Sequence, residues 1–324
     1  MPKVTLYDIA RICGVNASTV SRALRNDARL KTETIERIQS VAEKKGYRPN
    51  LAARYLKRGK AEIIWFIVPT LGASVDWKSA EFATQHAHDK GYDLAITVHH
   101  GDQKVFDRAA ERMMQGLSAG AIINRRDIRD LSALDPLRKR NFPIIFIDVP
   151  PERSYGEGLV VTTDNEAAGR ELVRRCIDAG ARQFMLLFRR GVNAVERERF
   201  TGAARELRER GVTWVNGITK GDGLDWEALD ERVALLGSSQ EAVLTFAIPH
   251  ADALRRKHCT IGCFDDWLGE ARPAERVIVA EQDYETIADT AVDRLANLID
   301  QTDGSDHPLA RIPVSDYLTR KSYF

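Results

Sequence analysis

Long apolar runs are missing from this chain. None approaches the roughly 18–20 consecutive apolar residues that span a bilayer, and Met1 to Ala10 holds no apolar core of an export signal. The expectation is a cytoplasmic protein with no membrane partner. Cysteine is scarce as well: Cys13, Cys176, Cys259 and Cys263 are the four present. The spacing of Cys259 and Cys263, even with His258 beside them, is neither a zinc nor a redox pattern. Reduced thiols are the simplest reading, and no metal site and no cofactor is expected. The sequence has no G-x-G-x-x-G and no phosphate-binding G-x-x-x-x-G-K-[ST], and Gly221-Asp222-Gly223 is too short to serve as either. An enzyme of the nucleotide-binding α/β kind therefore lacks its usual signature, and catalysis is not expected.

Net charge is nearly absent too, at +1 over 324 residues, in a composition with 44% hydrophobic and 29% charged residues that is ordinary for a globular protein. Its distribution is uneven. Residues 1–60 hold 14 Lys and Arg against 5 Asp and Glu, whereas the rest of the chain holds 34 against 42. A basic end on a mildly acidic body points to a polyanion as partner of that end alone. The length suffices for two or three compact units, each with its own core.

The basic end reads as three short helices. Leu6, Ile9 and Ala10 recur at helical spacing, with Thr5 as N-cap and Asp8 completing a variant capping box. Gly14 ends this helix where a left-handed residue is wanted. A second helix starts near Asn16 and carries Ala17, Ser18, Ser21 and Arg22 on one face, with Val20 and Leu24 turned inward. A third runs from about Lys31 to Lys45, with Ile35, Ile38, Val41 and Ala42 on one side. Helix, glycine turn, helix is the helix-turn-helix arrangement. Its exposed face suits a DNA major groove: short Ala and Ser side chains permit close approach, and Arg22 can make a bidentate contact to a guanine edge. Thr5, Ser21, Thr32 and Asn50 suit phosphate contacts. A small protein-binding helical module is the alternative.

The run VTLYDIARICGVNASTVSRALRN, followed by VAEKKGYRPNLAARYLKRGK, resembles the headpiece of the lactose-repressor (LacI/GalR) family over its full length, with TLYDIA, GV, STVSR and GYRPN matching without gaps. The resemblance implies a transcription regulator with a DNA-binding headpiece at 1–48, a hinge at 49–60 and an effector-binding body at 61–324. Pro49 breaks the third helix, and Asn50 to Lys57 can form only a short helix, marginal by itself. In the family this segment pairs with its dimer mate in the minor groove. Leu56 stands at the position of the residue that wedges between base steps, and Ala53 is one turn before it. The resemblance thus implies a homodimer on a pseudo-palindromic double-stranded operator, and the chain shows no leucine heptad tail for further association.

The body alternates short apolar runs with amphipathic stretches. Ile63–Val68, Leu94–Val98, Ala121–Ile123 and Ile144–Ile147 read as one set of strands, and Phe184–Leu187, Val243–Phe246 and Thr260–Phe264 as a second. Helices are expected over Trp77–Lys90, Lys104–Gln115, Asn165–Ala179, Ala194–Arg210, Trp226–Leu236 and Asp283–Asp300. The fold class is α/β: an all-α helix-turn-helix headpiece and hinge, then two Rossmann-like lobes of the periplasmic-binding-protein type. Lobe 1 is expected at about 61–161 and 284–324, and lobe 2 at about 162–283. The resemblance extends loosely over this body through AIIN, IIFIDV, TTDN, RERFTGAARELRERG and DYETIADTAVDRL. One departure is expected after the run Val243–Phe246, where Ala247-Ile248-Pro249-His250 replaces the family's asparagine-aspartate pair.

Ligands of open α/β sheets bind beyond the carboxyl ends of the strands. The candidates there are Ser74, Asp76, His99, His100, Asn124, Asp148, His250, Asp265 and Asp266. Trp226 could stack on a sugar face or be a plain surface residue. The resemblance places Arg199 at the arginine that holds ligand hydroxyls. Carboxylate, amide and guanidinium groups bind vicinal hydroxyls with paired donors and acceptors, so a carbohydrate effector is expected. Arg125-Arg126 and Arg189-Arg190 beside strand ends favour an anionic form of it, a sugar phosphate or sugar acid, unless they are solvated loop charges.

Overall fold

The structure is a computed structural model that describes residues 4–47, 61–115, 118–151, 155, 159–187, 193–217, 229–265, 276–300 and 310–313. Asn50, Ala53, Leu56, Arg189, Arg190, Trp226 and Asp266 lie outside the described residues, and the side chain of Ser74 is not described. The chain divides into two compact units, Met1–Ala61 and Glu62–Phe324.

The first unit holds α1 (Leu6–Cys13), α2 (Ala17–Ala23) and α3 (Thr32–Lys44). Thr5 caps α1 reciprocally with Asp8, and Gly14 closes it at φ +64°, a conformation glycine adopts without a Cβ clash. Ile9, Val20, Ala23 and Ile38 are fully buried and bind the three helices into one small core. Val20 lies inside; Leu24 only lines the core's edge.

The second unit contains two parallel sheets. The first has the order β11-β5-β4-β3-β1-β2, with β1 at Ile63–Val68, β2 at Asp93–Val98, β3 at Ser118–Ile123, β4 at Ile144–Ile147, β5 at Val160–Thr163 and β11 at Ala310–Ile312. Its helices are α4 (Ser74–Asp89), α5 (Gln103–Met114) and the short α6 (Asp135–Arg138). The second sheet runs β10-β9-β8-β6-β7, from β6 (Gln183–Leu187), β7 (Thr213–Gly217), β8 (Val233–Gly237), β9 (Thr260–Phe264) and β10 (Arg276–Ala280). Helices α7 (Asn165–Asp178), α8 (Ala194–Glu209), α9 (Gln240–Ala247) and α10 (Ala251–Arg256) belong with it, and α11 (Tyr284–Asp300) returns to the first sheet. Side chains alternate across each sheet, as the strand period demands. Ile64, Phe66 and Val68 pack under α4 and α11, while Ile67 joins α5 on the other face. Phe184 and Leu186 face α7 and α8; Met185 and Leu187 face α9 and α10.

Two expected elements are different. Val243–Phe246 is not a strand but part of α9. Ala242, Val243, Phe246 and Ala247 are buried at helical spacing, and Ser239 caps the helix by accepting from the Ala242 N–H. The expected helix over Trp226–Leu236 is likewise wrong at its end, because Val233–Gly237 forms β8, buried at every position. A central parallel strand covered on both faces shows no alternation to betray it. The residues after this strand are therefore Ser238 and Ser239, whereas Ala247–His250 follow a helix. Among the described residues no helix is long and apolar enough to cross a membrane.

Candidate functional site

In the first unit, α2 presents the residues expected to read DNA. Ser18 and Arg22 are exposed and Ser21 half-buried, while Ala17 packs partly against the small core. The Thr5 hydroxyl is engaged in its cap, donating to the Asp8 carboxylate at 2.7 Å and accepting from the Asp8 N–H at 3.3 Å. Tyr7, which the sequence pattern did not single out, is 76% exposed on α1; an aromatic ring left outside beside a basic helix was its only signal.

In the second unit, charged and amide side chains gather at the carboxyl ends of the strands. On the first-sheet side the centre is Asn124, just beyond β3. Its amide donates to Asp76 in the first turn of α4 at 2.9 Å and to Asp148 at 3.3 Å. Arg126 pairs with the other Asp76 oxygen, and its own N–H returns to the Asn124 Oδ1 at 3.1 Å. Behind them His99 accepts the Gly101 N–H on Nδ1 at 3.0 Å, so Nε2 is the nitrogen that donates to the Asn124 carbonyl, at 3.1 Å. Burial pushes the pKa of His99 down and keeps the ring neutral. His99 is thus a buried support for Asn124, set behind the cluster.

On the second-sheet side Arg199 is 3% exposed. Its Nε donates to the Asn165 Oδ1 at 2.8 Å and an Nη to the Ser238 carbonyl at 2.9 Å. The guanidinium stacks over Phe264 at 4.2 Å, and Asp265 lies 3.7 Å away. Asp265 also accepts from Gln282 at 2.7 Å and from the Tyr284 hydroxyl at 3.0 Å. Asn165 is fixed by its bond to the Thr163 carbonyl at 3.0 Å, and the Ser238 hydroxyl is buried with no hydrogen-bond partner. Asn165, Ser238, Gln282 and Tyr284 were not among the expected residues.

The two sides share one electrostatic field. Burial pushes the Asp76 carboxyl up to about 7, with Arg126 pulling it down and Asp148 pushing it further up. Burial likewise raises Asp148, against the pull of Arg126 and Arg199. Asp76, Asp148 and Asp265 all act to keep Arg126 charged despite its burial. The structure therefore brings Asp76, Asn124, Asp148, Arg199 and Asp265 together. His250 stands apart from strand ends, beyond α9, bonded to the Phe246 carbonyl and stacked on that ring.

A hydrolase-like spelling, G-x-S-x-G, occurs at Gly116–Gly120. Its serine is not on a strand-to-helix turn. Ser118 opens β3 with its hydroxyl buried and unbonded, the opposite of an exposed nucleophile. Among the described residues no group of His, Cys, Asp and Glu could hold a metal ion.

The chain thus joins a helix-turn-helix unit to a second unit of two parallel α/β lobes with a polar cluster at their strand ends. The family model of bacterial regulatory proteins of the lacI family matches residues 5–50. The sucrose operon repressor of Klebsiella pneumoniae is 25% identical over 322 residues, 92% of this chain and 93% of that protein. The HTH-type transcriptional regulator DegA of Bacillus subtilis is 23% identical over 214 residues, 65% of this chain but only 62% of its own length. Among solved structures, a lac repressor dimer bound to operator and the anti-inducer ONPF shares the fold at a TM-score of 0.75 and 20% identity, covering 97% of each chain. Residues 5–50 thus carry the helix-turn-helix domain of the lacI family of bacterial regulatory proteins, and the body that follows shares the fold of the lac repressor.

Proposed function

We propose that this chain is a sequence-specific DNA-binding transcriptional regulator, a cytoplasmic repressor of carbohydrate-utilisation genes, controlled by a sugar held between its lobes. It acts as a homodimer on a pseudo-palindromic operator, and it is a regulator rather than an enzyme. One observation carries the reading. Asn124, Asp148 and Asp265, from strand ends of two sheets, and Arg199, from helix α8, share one buried polar cluster, and such paired donors and acceptors match vicinal hydroxyls. In the headpiece, Ser18, Ser21 and Arg22 face outward for base edges, with Thr5 and Asn50 at phosphates and Ala53 and Leu56 in the minor groove. Ser74, Trp226 and Asp266 complete the effector set in this reading, and Ser238 joins it.

The charge balance of the cluster favours a neutral sugar over an anionic one. Arg126 is matched by Asp76, and Arg199 stands beside Asp265; a phosphate would have to displace a carboxylate to gain either cation. A thermal-shift panel of neutral sugars, sugar phosphates and sugar acids tests this, because a ligand of the folded state raises the melting temperature. Shifts confined to the phosphates or acids would reverse the preference.

The DNA half of the proposal is tested by selecting sites from random duplexes with the full chain. Arg22→Ala should weaken binding to the selected site by about 1–3 kcal/mol and relax one base preference. A selection that yields no two-fold site, or an Arg22→Ala protein that binds it as tightly as before, would refute the assignment.

A further inference from the structure

Glycine inside a helix is less favourable than alanine by about 1 kcal/mol, yet α7 and α8 each carry one where the two helices meet: Gly169 and Gly202. A Cβ on Gly169 would lie 2.1 Å from the Arg199 carbonyl oxygen and 3.0 Å from the Ala203 nitrogen. A Cβ on Gly202 would lie 1.9 Å from the Glu166 carbonyl oxygen. The obstacles are backbone atoms, which cannot rotate away as a side chain can. The helices therefore touch main chain to main chain, and a methyl group at either glycine would push them apart by roughly 1 Å.

What this contact positions is specific. The carbonyl facing Gly169 belongs to Arg199 itself. The side chain of Arg199 reaches Asn165 in the first turn of α7, one turn before Gly169, at 2.8 Å. A displacement of α8 by about 1 Å would stretch that bond beyond hydrogen-bonding range. The ionic contacts that also join these helices, Arg174 to Glu206 and Arg170 to Glu209, lie nearer the surface and can re-aim with such a shift, whereas the buried Arg199 guanidinium is pinned by the Ser238 carbonyl and Phe264. We propose that the Gly169–Gly202 contact is what aims Arg199 at the strand ends, and that the two glycines are positioning residues for that arginine. The inference rests on the reading that Arg199 belongs to the effector site, but its test does not use an effector.

The readout is the Arg199 Nε–H, which in nitrogen-edited NMR of the full chain is protected from solvent exchange by its buried acceptor. Arg199→Lys identifies the signal by deleting it. In Gly169→Ala and Gly202→Ala the signal should exchange about tenfold faster or more, while resonances of Met185 and Leu254 on the far face of the second sheet stay in place. An unchanged Arg199 signal in folded variants overturns the proposal. Should neither variant fold, native-state exchange of the unmodified protein decides. The Nε–H must then open in the same event as the amides of 166–169 and 199–203. Its exchange about a hundredfold faster than theirs would show an arginine seated independently of the helix contact. A sugar response that survives Arg199→Ala would fault the effector reading and leave the positioning result intact.

Discussion

Asp148 and Asp265 hold equivalent places in the two lobes. Each follows a strand, β4 or β9, and each is left-handed, at φ +61° and +67°. Each backbone N–H bonds to the neighbouring strand's carbonyl at 3.2 Å, Asp148 to Val161 and Asp265 to Ala280. Aspartate tolerates this backbone region better than most side chains, and the turn directs the carboxylate over the end of the sheet. From there the two differ. Asp148 shares the amide of Asn124 with a second buried carboxylate, Asp76, and burial raises its pKa. Asp265 receives two neutral donors, Gln282 and Tyr284, with Arg199 close by. One backbone device thus places two charges, and the neighbours decide how each is held: against a rival carboxylate on one side, by donors on the other.

The sharpest way to break the comparison is to remove the cation of the second side. Arg199→Ala leaves the Asn165 oxygen and the Ser238 carbonyl without the Arg199 donor and takes the neighbouring cation from Asp265, in a buried setting where losing one member of a charged network costs about 3–5 kcal/mol. Urea unfolding should show a loss of that order in the body, with DNA binding in the absence of effector retained and sugar response gone. Loss of DNA binding in a folded Arg199→Ala protein would count against the role assigned to Arg199.

A smaller effect should come from the first side through pH. Asp76 has a folded pKa raised from 3.8 to about 7, and Asp148 is shifted in the same direction. Between those values the folded protein holds a proton that the unfolded chain has released, so this contribution to stability is fully present below about pH 4 and is lost as the pH rises towards 7. The decline attributable to Asp76 is on the order of 1–4 kcal/mol, and Asp76→Asn should flatten it. Denaturation curves of the two proteins across this range check the sign; a stability that rises with pH equally in both would contradict the raised pKa.

The mildest change is Tyr284→Phe, which removes one neutral donor from Asp265. A stability loss of about 1 kcal/mol is expected, with the pH slope set by Asp76 untouched. A change in that slope would mean that the two sides are more tightly coupled than their contacts indicate.

How much of this was legible in the sequence follows from the range of the interactions. The headpiece was read almost whole, because Thr5, Asp8, Gly14 and the Ile9–Val20–Ile38 pattern act within a few residues or one short turn of one another. Asn124, Asp148 and Asp265 were legible because a residue just past an apolar run in an α/β chain faces the strand-end side whatever its neighbours are. The segment from Trp226 to Phe246 misled, since β8 and α9 are both compact apolar runs and only the Ser239 cap distinguished strand from helix. Asn165, Ser238, Gln282 and Tyr284 carried no local signal; they matter only because they meet Arg199 or Asp265.

By itself, then, the sequence determined the basic helical head, the alternation that builds two parallel sheets and the strand ends at which polar side chains collect. These are consequences of local periodicity and of caps, which a linear chain displays. The tertiary structure alone decided which carboxylate pairs with which cation. It also decided that Asp76 and Asp148 share one amide while Asp265 has Gln282 and Tyr284, and that Gly169 and Gly202 bring two helices into backbone contact beneath Arg199. Those outcomes depend on distances of a few ångströms between residues far apart in the chain, in a buried setting where the Coulomb energy of a pair, and hence its protonation, is fixed by geometry rather than by residue type.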